Sequence, residues 1–419
     1  MGERSEWHEK LDGILTAHVS QPSPLHLHMD DTKDMLIGAS FMLVNKEGIL
    51  FSGSSGRTSL GGSLEPWTIH TFAWMASLTK LPSTVCLLQL LSRGYLTLDE
   101  DLRSRFRETV VAHLASVQIL RGFDATDQAI LEPNVRPITL RHLLTHTSGL
   151  GYDLPSENLM RWRRSVGKLK NNLSWTGEGF STPLLFEPGT AWLYGTGIDW
   201  ATRLLEAVTG ETLREYMDAN IFKPLGIRNS VFRPGTMPGC REGKTPIPQP
   251  AKILFREPDR TLHEMKPQPI SSRGDHELDS GGAGLFSTTY EYSKLLRGIL
   301  GGELLPKDSI ELLFAPQLDD RLQKSMMETL AISPAFAPNY PPKMPANFAF
   351  GGMMNLEDIP GRRKAGSITW SGMSNCRWWI DRTTGIAGLL VVSVLPYGDT
   401  VASKLFDELE RAVYEELQA

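Results

Sequence analysis

The chain has 419 residues, of which 41% are hydrophobic and 22% charged, so it is long enough for two domains or one domain with a large insertion. Its net charge of -5 gives no electrostatic basis for binding nucleic acid or an anionic membrane. Its cysteines, Cys86, Cys240 and Cys376, lack C-x-x-C spacing, which predicts neither a disulfide framework nor a zinc site.

The first predicted elements are a helix and a β-hairpin. Apolar residues recur at helical spacing at Trp7, Leu11, Ile14, Leu15 and Val19. Two apolar runs, 36–44 and 49–52, flank the turn 45–48 and predict a hairpin. The amino terminus has no apolar leader and no run is long enough to span a membrane, so we expect a cytoplasmic protein.

The segment between that helix and the hairpin contains a possible metal motif. His26 and His28, followed by acidic residues, resemble part of the ligand run of a metallohydrolase. The position of the final histidine is occupied by Asp31, and Pro22 and Pro24 favour an exposed loop. We therefore predict a loop and no metal site.

The most informative stretch is 71–91, which contains Ser77 and Lys80 ahead of a long apolar run. In a helix beginning near Ser77, residues three apart share a face, so the hydroxyl and the amine lie side by side as a nucleophile and its base. Burial of that helix favours the neutral amine. The alternative is a helix N-cap at Ser77 with Lys80 on the surface. The local residues leave both readings open.

A second S-x-x-K match, Ser165 to Lys168, lies in a strongly basic segment. It reads as a solvated helix end. Thr139 predicts the N-cap of a short helix within 138–150, and Gly149 its end. His142 and His146 are spaced like a metal pair, but with no carboxylate ligand nearby we predict packing and capping roles.

A turn and a short aromatic segment containing Tyr194 follow at 186–197, and then a helix that ends at Gly210. The segment 234–279 is rich in Pro, Gly and charge, and we predict an irregular surface excursion or lid. A helix at 290–300 precedes three β-rich runs, 366–370, 376–381 and 386–395, and a last amphipathic helix.

This order predicts an α+β fold in which one antiparallel sheet is built from both chain ends and flanked by the terminal helices. A mainly helical domain is inserted between the two parts of the sheet. We expect a sheet domain at 1–76 and 280–419, a helical domain at 77–233 and the irregular segment at 234–279.

The motifs together resemble the serine β-lactamase and penicillin-binding-protein superfamily, in its class C and carboxylesterase branch. The matching order is Ser77-x-x-Lys80, the 143–150 run, Pro188-Gly189-Thr190 leading to Tyr194, and 281–284. The chain also resembles the fungal lovastatin acyltransferases, which are transesterases that acylate a statin precursor. This resemblance lies in three stretches, 138–150, 194–201 and 362–370.

The resemblance implies that Ser77 is the nucleophile, Lys80 its base and Tyr194 the proton shuttle. It implies an oxyanion hole formed by the backbone N–H groups of Ser77 and Met373, the latter just after Trp370-Ser371-Gly372. No cofactor is implied.

Two departures from the superfamily pattern concern antibiotic recognition. Thr196 occupies the place of the asparagine in the Tyr-x-Asn motif, and no Lys-Thr-Gly triplet stands on the expected strand. Both argue against action on β-lactams or peptidoglycan.

We also expect Trp74, Tyr152, Trp370, Ser371 and Gly372 to contact the substrate. Aromatic residues around the predicted site suit a bulky apolar substrate. They are Trp74, Tyr152, Trp192, Trp370, Trp378 and Trp379.

The leading hypothesis is an enzyme that transfers an acyl group from a thioester or ester, through acyl-Ser77, to a hydroxyl of a secondary metabolite. The expected partners are a small-molecule acyl donor and an alcohol acceptor, with an acyl-carrier protein domain as a possible source of the donor. The alternatives are a carboxylesterase that uses water as the acceptor and a non-catalytic scaffold of the same fold. An α/β-hydrolase is not predicted, because no G-x-S-x-G elbow is present.

Overall fold

The structure is a computed structural model that describes residues 6–20, 32–61, 65–106, 111–234, 249–266, 268–270, 276–333, 340–341 and 343–418. The His26 segment therefore lies outside the described residues. The strands are β1 Gly38–Asn45, β2 Ile49–Gly56, β3 Ala73–Trp74, β4 Gln118–Phe123, β5 Ala129–Pro133, β6 Leu254–Arg256, β7 Leu262–Glu264, β8 Phe286–Ser287, β9 Ala346–Ala349, β10 Gly352–Asn355, β11 Ile368–Ser371, β12 Arg377–Asp381, β13 Ile386–Val392 and β14 Val394–Leu395.

The α-helices are α1 Glu6–Ala17, α2 Lys80–Ser92, α3 Leu102–Arg105, α4 Ala112–Ser116, α5 Leu140–Leu144, α6 Glu157–Ser165, α7 Gly177–Phe180, α8 Gly197–Thr209, α9 Leu213–Met217, α10 Thr289–Leu300, α11 Lys307–Leu313, α12 Asp320–Ile332 and α13 Thr400–Gln418. Short 3-10 helices occupy Ala76–Thr79 and Asn172–Ser174, and a π-helical turn occupies Asp218–Phe222. No helix in the described part of the chain is both long and apolar enough to cross a membrane.

A seven-stranded antiparallel sheet joins the two chain ends, in the order β2-β1-β13-β12-β11-β10-β9. Every residue of β13 is buried, because α13 and α10 both pack against it. A strand covered on both faces has no solvated side, which explains why its sequence is apolar throughout instead of alternating. The predicted α+β fold with its sheet from both chain ends is confirmed.

The helical part lies between β2 and β9 and is organised around α2. Eleven of the thirteen residues of α2 are buried, from Lys80 to Leu90. Such a helix has no polar face and must sit at the centre of its domain. The core of the helical part continues into one side of the sheet, so the exact domain boundaries at 77, 233 and 279 stay a prediction.

The segment 234–279 is more ordered than its composition predicts. Its described part contains β6 and β7, which form a small sheet with β14. Leu254 and Leu262 are buried with the terminal helices in a second core. The prediction of an irregular surface excursion is therefore wrong for this part, because β6 pairs with β14, more than a hundred positions away in the chain, and β7 pairs with β6.

Candidate active site

Ser77 lies in the 3-10 helix that leads into α2, and Lys80 is the first residue of α2. The single helix predicted from Ser77 is thus divided into a tighter turn and a regular helix. Ala76, just before Ser77, has a φ of 47°, a strained conformation for a residue with a side chain. Pro82 is tolerated because it lies in the first turn of α2, where its missing N–H has no intrahelical acceptor.

The Lys80 amine is buried and has three hydrogen-bond partners. Its Nζ lies 3.3 Å from Ser77 Oγ, 2.9 Å from the Tyr152 hydroxyl and 2.7 Å from the Gly282 carbonyl oxygen. Burial lowers the pKa of Lys80 from 10.5 to about 7, although the nearby charge of Asp199 opposes that change. A substantial fraction of the amine is therefore neutral at physiological pH, as a base for Ser77 requires.

Tyr194 packs beside the same amine. Lys80 Nζ lies 4.8 Å from the centre of the Tyr194 ring, and the Trp370 indole N–H donates a hydrogen bond of 3.2 Å to the Tyr194 hydroxyl. The Tyr194 hydroxyl also hydrogen-bonds Ser77, and burial raises its pKa above the ordinary value. Since Trp370 supplies the donor on one side, the phenol can direct its own proton towards Ser77.

Tyr152 contacts both Lys80 and Tyr194, which the sequence did not predict. The centres of the Tyr152 and Tyr194 rings are 5.3 Å apart. Burial, reinforced by the charge of Asp199, raises the pKa of Tyr152 well above its ordinary value. Tyr152 therefore stays a neutral phenol.

The end of β11 supplies the candidate second oxyanion donor. The Gly372 N–H already donates to the Cys376 carbonyl at 2.8 Å. A side chain at Gly372 would place its Cβ 2.7 Å from the Met75 carbonyl oxygen, so only glycine lets this segment pack against the Ser77 turn. Ser77 and Met373 both line the adjoining cavity.

That cavity has a volume of about 480 Å³ and opens over Ser77. Most of its wall is apolar. Its lining includes Trp74, Ala76, Ser77, Tyr152, Leu154, Leu173, Trp175, Phe180, Tyr194, Asp199, Ala283, Ser371, Met373 and Tyr397. The size and lining suit a largely apolar molecule held by a few polar groups.

The predicted substrate residues divide into two groups. Trp74, Tyr152 and Ser371 line the cavity, whereas Trp370 lies behind Tyr194 and Gly372 packs against Met75. Trp378 and Trp379 are buried in β12, and Trp192 packs on His146, so these three indoles serve the core and not the cavity.

Several cavity residues were missed by sequence reasoning. Three of them, Leu173, Trp175 and Phe180, lie in a short irregular segment. Their apolar side chains do not recur with the period of a helix or a strand, so the sequence did not predict that they line a cavity. Tyr397 lies after the last strand, and its hydroxyl shares a 2.5 Å hydrogen bond with Ser371 Oγ. No sequence signal links residues so distant in the chain.

The competing motifs have structural roles. Ser165 is the last residue of α6 and donates to the Trp162 carbonyl at 2.9 Å, as expected of a helix end. His142 completes the capping box of α5 with Thr139, and His146 packs on Tyr194 with 4.8 Å between ring centres. Within the described residues, no cluster of His, Cys, Asp and Glu is arranged to hold a metal ion.

Comparison with known proteins identifies the family of the chain. The Beta-lactamase family model matches residues 28–410. The chain is 34% identical to the ML-236A carboxylate methylbutanoyltransferase of Penicillium citrinum, covering 85% of this chain and 83% of that protein. It is 33% identical to the lovastatin esterase of Penicillium rubens, covering 87% of this chain and 90% of that protein.

The fold is also that of a solved relative. The unliganded simvastatin synthase of Aspergillus terreus superposes with a TM-score of 0.83 at 28% identity, covering 99% of this chain and all of that one. A mutant of the same enzyme superposes with a TM-score of 0.82 at 31% identity, over 91% of each chain. The chain therefore belongs to the beta-lactamase family, in the branch that contains serine acyltransferases and esterases.

Proposed function

We propose that the protein transfers an acyl group from a thioester or ester to a hydroxyl of a secondary metabolite, through an ester on Ser77. The observation that carries this proposal is the contact of Ser77 with a buried, partly neutral Lys80 at the base of a large apolar cavity. The similarity to a methylbutanoyltransferase of statin biosynthesis supports it.

In the first half-reaction, Ser77 Oγ attacks the donor carbonyl and its proton passes to Lys80 Nζ. The backbone N–H groups of Ser77 and Met373 stabilise the negative charge on the carbonyl oxygen. Collapse of this intermediate breaks the bond to the donor's thiol or alcohol, which leaves with a proton delivered through Lys80 and Tyr194. Because burial raises its pKa, Tyr194 relays a proton and does not act as a standing phenolate base.

In the second half-reaction, the acceptor hydroxyl attacks acyl-Ser77 and its proton returns by the same groups to Ser77 Oγ. The apolar wall, which includes Trp74, Trp175 and Phe180, holds the acceptor close and limits competition by water. The products are the acylated acceptor and free enzyme.

Hydrolysis is the second candidate function, favoured by the similarity to the lovastatin esterase. It uses the same acyl-Ser77 with water in place of the alcohol. A non-catalytic scaffold is disfavoured, because the Ser77 hydroxyl contacts the Lys80 amine and the amine lies over the Tyr194 ring.

The test is the intact mass of the protein after mixing with short acyl thioesters, with Ser77→Ala as the control. We expect one acyl adduct on the wild type and none on Ser77→Ala. Faster loss of the adduct with added alcohols than in water supports transfer, and equal rates support hydrolysis. If no donor gives an adduct, the proposal is wrong.

We extend the proposal to an acyl donor carried by an acyl-carrier domain. Leu154 and Pro155 lie at the cavity, and α6 begins directly after them with Arg164 exposed near its end. Such positive charge suits an acidic partner. The test compares a carrier-bound thioester with the free thioester. A preference for the carrier that weakens with salt and with Arg164→Glu supports docking, and equal rates contradict it.

We also propose that the protein works in the cytoplasm. Cys86 and Cys376 are buried free thiols, as expected in a reducing compartment. Recovery of the protein in the membrane or secreted fraction of its cells would contradict this.

A further inference from the structure

A buried carboxylate is linked to Lys80 through the backbone of Gly282, and no step of the mechanism above uses it. Asp199 is in the first turn of α8 and is only 3% exposed. Its charge raises the pKa values of Lys80, Tyr152 and Tyr194.

Asp199 holds the loop that in turn holds Lys80. Its Oδ1 accepts hydrogen bonds from Ser280 Oγ at 2.6 Å and from the Gly282 N–H at 2.9 Å. The carbonyl oxygen of the same glycine accepts the 2.7 Å hydrogen bond from Lys80 Nζ. A movement of the carboxylate therefore moves the acceptor that fixes the amine.

The contact at Gly282 leaves no room for a side chain. A Cβ there would lie 2.3 Å from Asp199 Oδ2, closer than any packing allows. The glycine lets the carboxylate approach the loop backbone closely.

The second carboxylate oxygen of Asp199 takes no part in this anchoring. Oδ2 is buried and has no hydrogen-bond partner among the described residues. A protonated carboxyl group would find no acceptor for an O–H at this position, so the geometry favours the ionised form. An asparagine would accept the same two hydrogen bonds at Oδ1, so what the carboxylate adds is its charge.

Lys80 is the cation on which this charge acts. The other groups around Lys80 are neutral hydroxyls or a neutral ring: Ser77, Tyr152, Tyr194 and His146. Burial raises the pKa of both phenols and lowers that of His146 well below its usual value, so none of these groups supplies a negative charge. Burial also raises the pKa of Asp199, and the nearby Lys80 opposes that rise.

We propose that Asp199 is a positioning residue of the acyl-transfer site: it fixes the Gly282 carbonyl against Lys80, and its charge stabilises the Lys80 ammonium that forms when the amine takes the Ser77 proton. The inference rests on the acyl-serine mechanism proposed above. It adds to Ser77, Lys80 and Tyr194 a fourth residue, which acts through Lys80.

The test compares Asp199→Asn with the wild type by following the reaction of Ser77 with an alkyl fluorophosphonate. In this reaction the serine oxygen bonds to phosphorus, fluoride leaves and Lys80 takes the serine proton, so no acyl donor need be known. The rate is measured by intact mass between about pH 5 and pH 10, because its ascending limb reports the ionisation of the base.

We expect Asp199→Asn to lower the plateau rate about 10-fold and to move the midpoint of the ascending limb down by about one pH unit, because an ammonium without its counter-charge loses its proton more readily. Ser280→Ala is the matched variant, since it removes one hydrogen bond to Oδ1 and keeps the charge. Its midpoint should stay with that of the wild type.

An unchanged midpoint in a folded Asp199→Asn protein would overturn the proposal, because a purely structural role predicts no shift. If this variant does not fold, Asp199→Ser serves instead, since its smaller side chain also removes the charge. This variant should move the midpoint in the same direction, and an unchanged midpoint would equally contradict the proposal.

The same experiment separates the two proposals. Reaction of wild-type Ser77 with the fluorophosphonate, together with no adduct from any acyl donor, would refute the proposed function and leave the Asp199 result standing. If the wild-type serine does not react with the fluorophosphonate either, Ser77 is not activated and both proposals fail.

Discussion

The amine of Lys80 donates a hydrogen bond of 2.9 Å to the Tyr152 hydroxyl, whereas it meets Tyr194 over the ring, 4.8 Å from its centre. Two phenols thus share one lysine in different ways. Tyr152 receives the amine directly, and Tyr194 is left to face Ser77.

We expect Tyr152→Phe to slow acylation of Ser77 about 10-fold, because the loss of one hydrogen bond to a charged group costs about 1.5 kcal/mol. The loss should appear in the acylation rate more than in the binding of the donor. Single-turnover kinetics measure both. Tyr216→Phe is the control, since its hydroxyl partners Arg93 away from the cavity. Equal rates for the Tyr152→Phe variant and the wild type would show that Tyr152 only lines the cavity.

Trp370 supplies the donor that orients Tyr194. We expect Trp370→Phe to reduce the acylation rate by roughly 5-fold to 10-fold, since a neutral hydrogen bond contributes about 1 kcal/mol. Trp67→Phe is a matched control, because that indole N–H donates at 2.9 Å to Ser40 Oγ within the sheet domain. The control should lower stability without changing the rate. If both variants slow acylation by the same factor, the loss reflects disturbed packing of the protein and not the hydrogen bond from Trp370 to Tyr194.

The pH dependence of wild-type acylation should follow Lys80. Burial lowers the pKa of this amine to about 7, and only the neutral form accepts the Ser77 proton. The rate should therefore rise with pH through about 7 and then reach a plateau. Because burial raises the pKa of Tyr152 and Tyr194, no fall is expected below the ordinary tyrosine range near pH 10. A profile that is flat from about pH 6 to pH 9 would exclude Lys80 as the base.

Lys80→Met should be inactive, and its stability relative to the wild type should depend on pH. The pKa of Lys80 falls from 10.5 in its ordinary state to about 7 in the folded chain, so between these values the unfolded chain binds more protons and wild-type stability rises with pH. The cost of burying the amine is complete below about pH 7 and disappears as the pH rises through 10.5.

The free energy of unfolding of the wild type should therefore rise by about 2–3 kcal/mol between pH 6 and pH 9, and Lys80→Met should lack this rise. Urea denaturation at both pH values measures this difference. Exposed Lys324→Met is the control and should change stability little at either pH. The same pH dependence of stability in Lys80→Met and in the wild type would show that burial does not lower the pKa of this amine.

Local features of the sequence determined much of this protein. Ser77 and Lys80 meet because three-residue spacing in a helical turn places side chains on one face, and Thr139 caps α5 because its hydroxyl reaches the N–H of His142. The largely apolar sequences of α2 and β13 predicted that both elements are buried. The order of such local motifs was also enough to indicate the family.

Only the tertiary structure decided the surroundings of Lys80. Tyr152 is 72 positions from Lys80, and Trp370 is 176 positions from Tyr194, so no local spacing relates them. The same holds for Asp199, whose loop partner Gly282 is 83 positions away, and for β6, which pairs with β14. The pKa of Lys80 depends on burial by the whole fold. The packed chain forms hydrogen bonds between distant segments and excludes water from the site. The sequence pattern around a single residue cannot predict either effect.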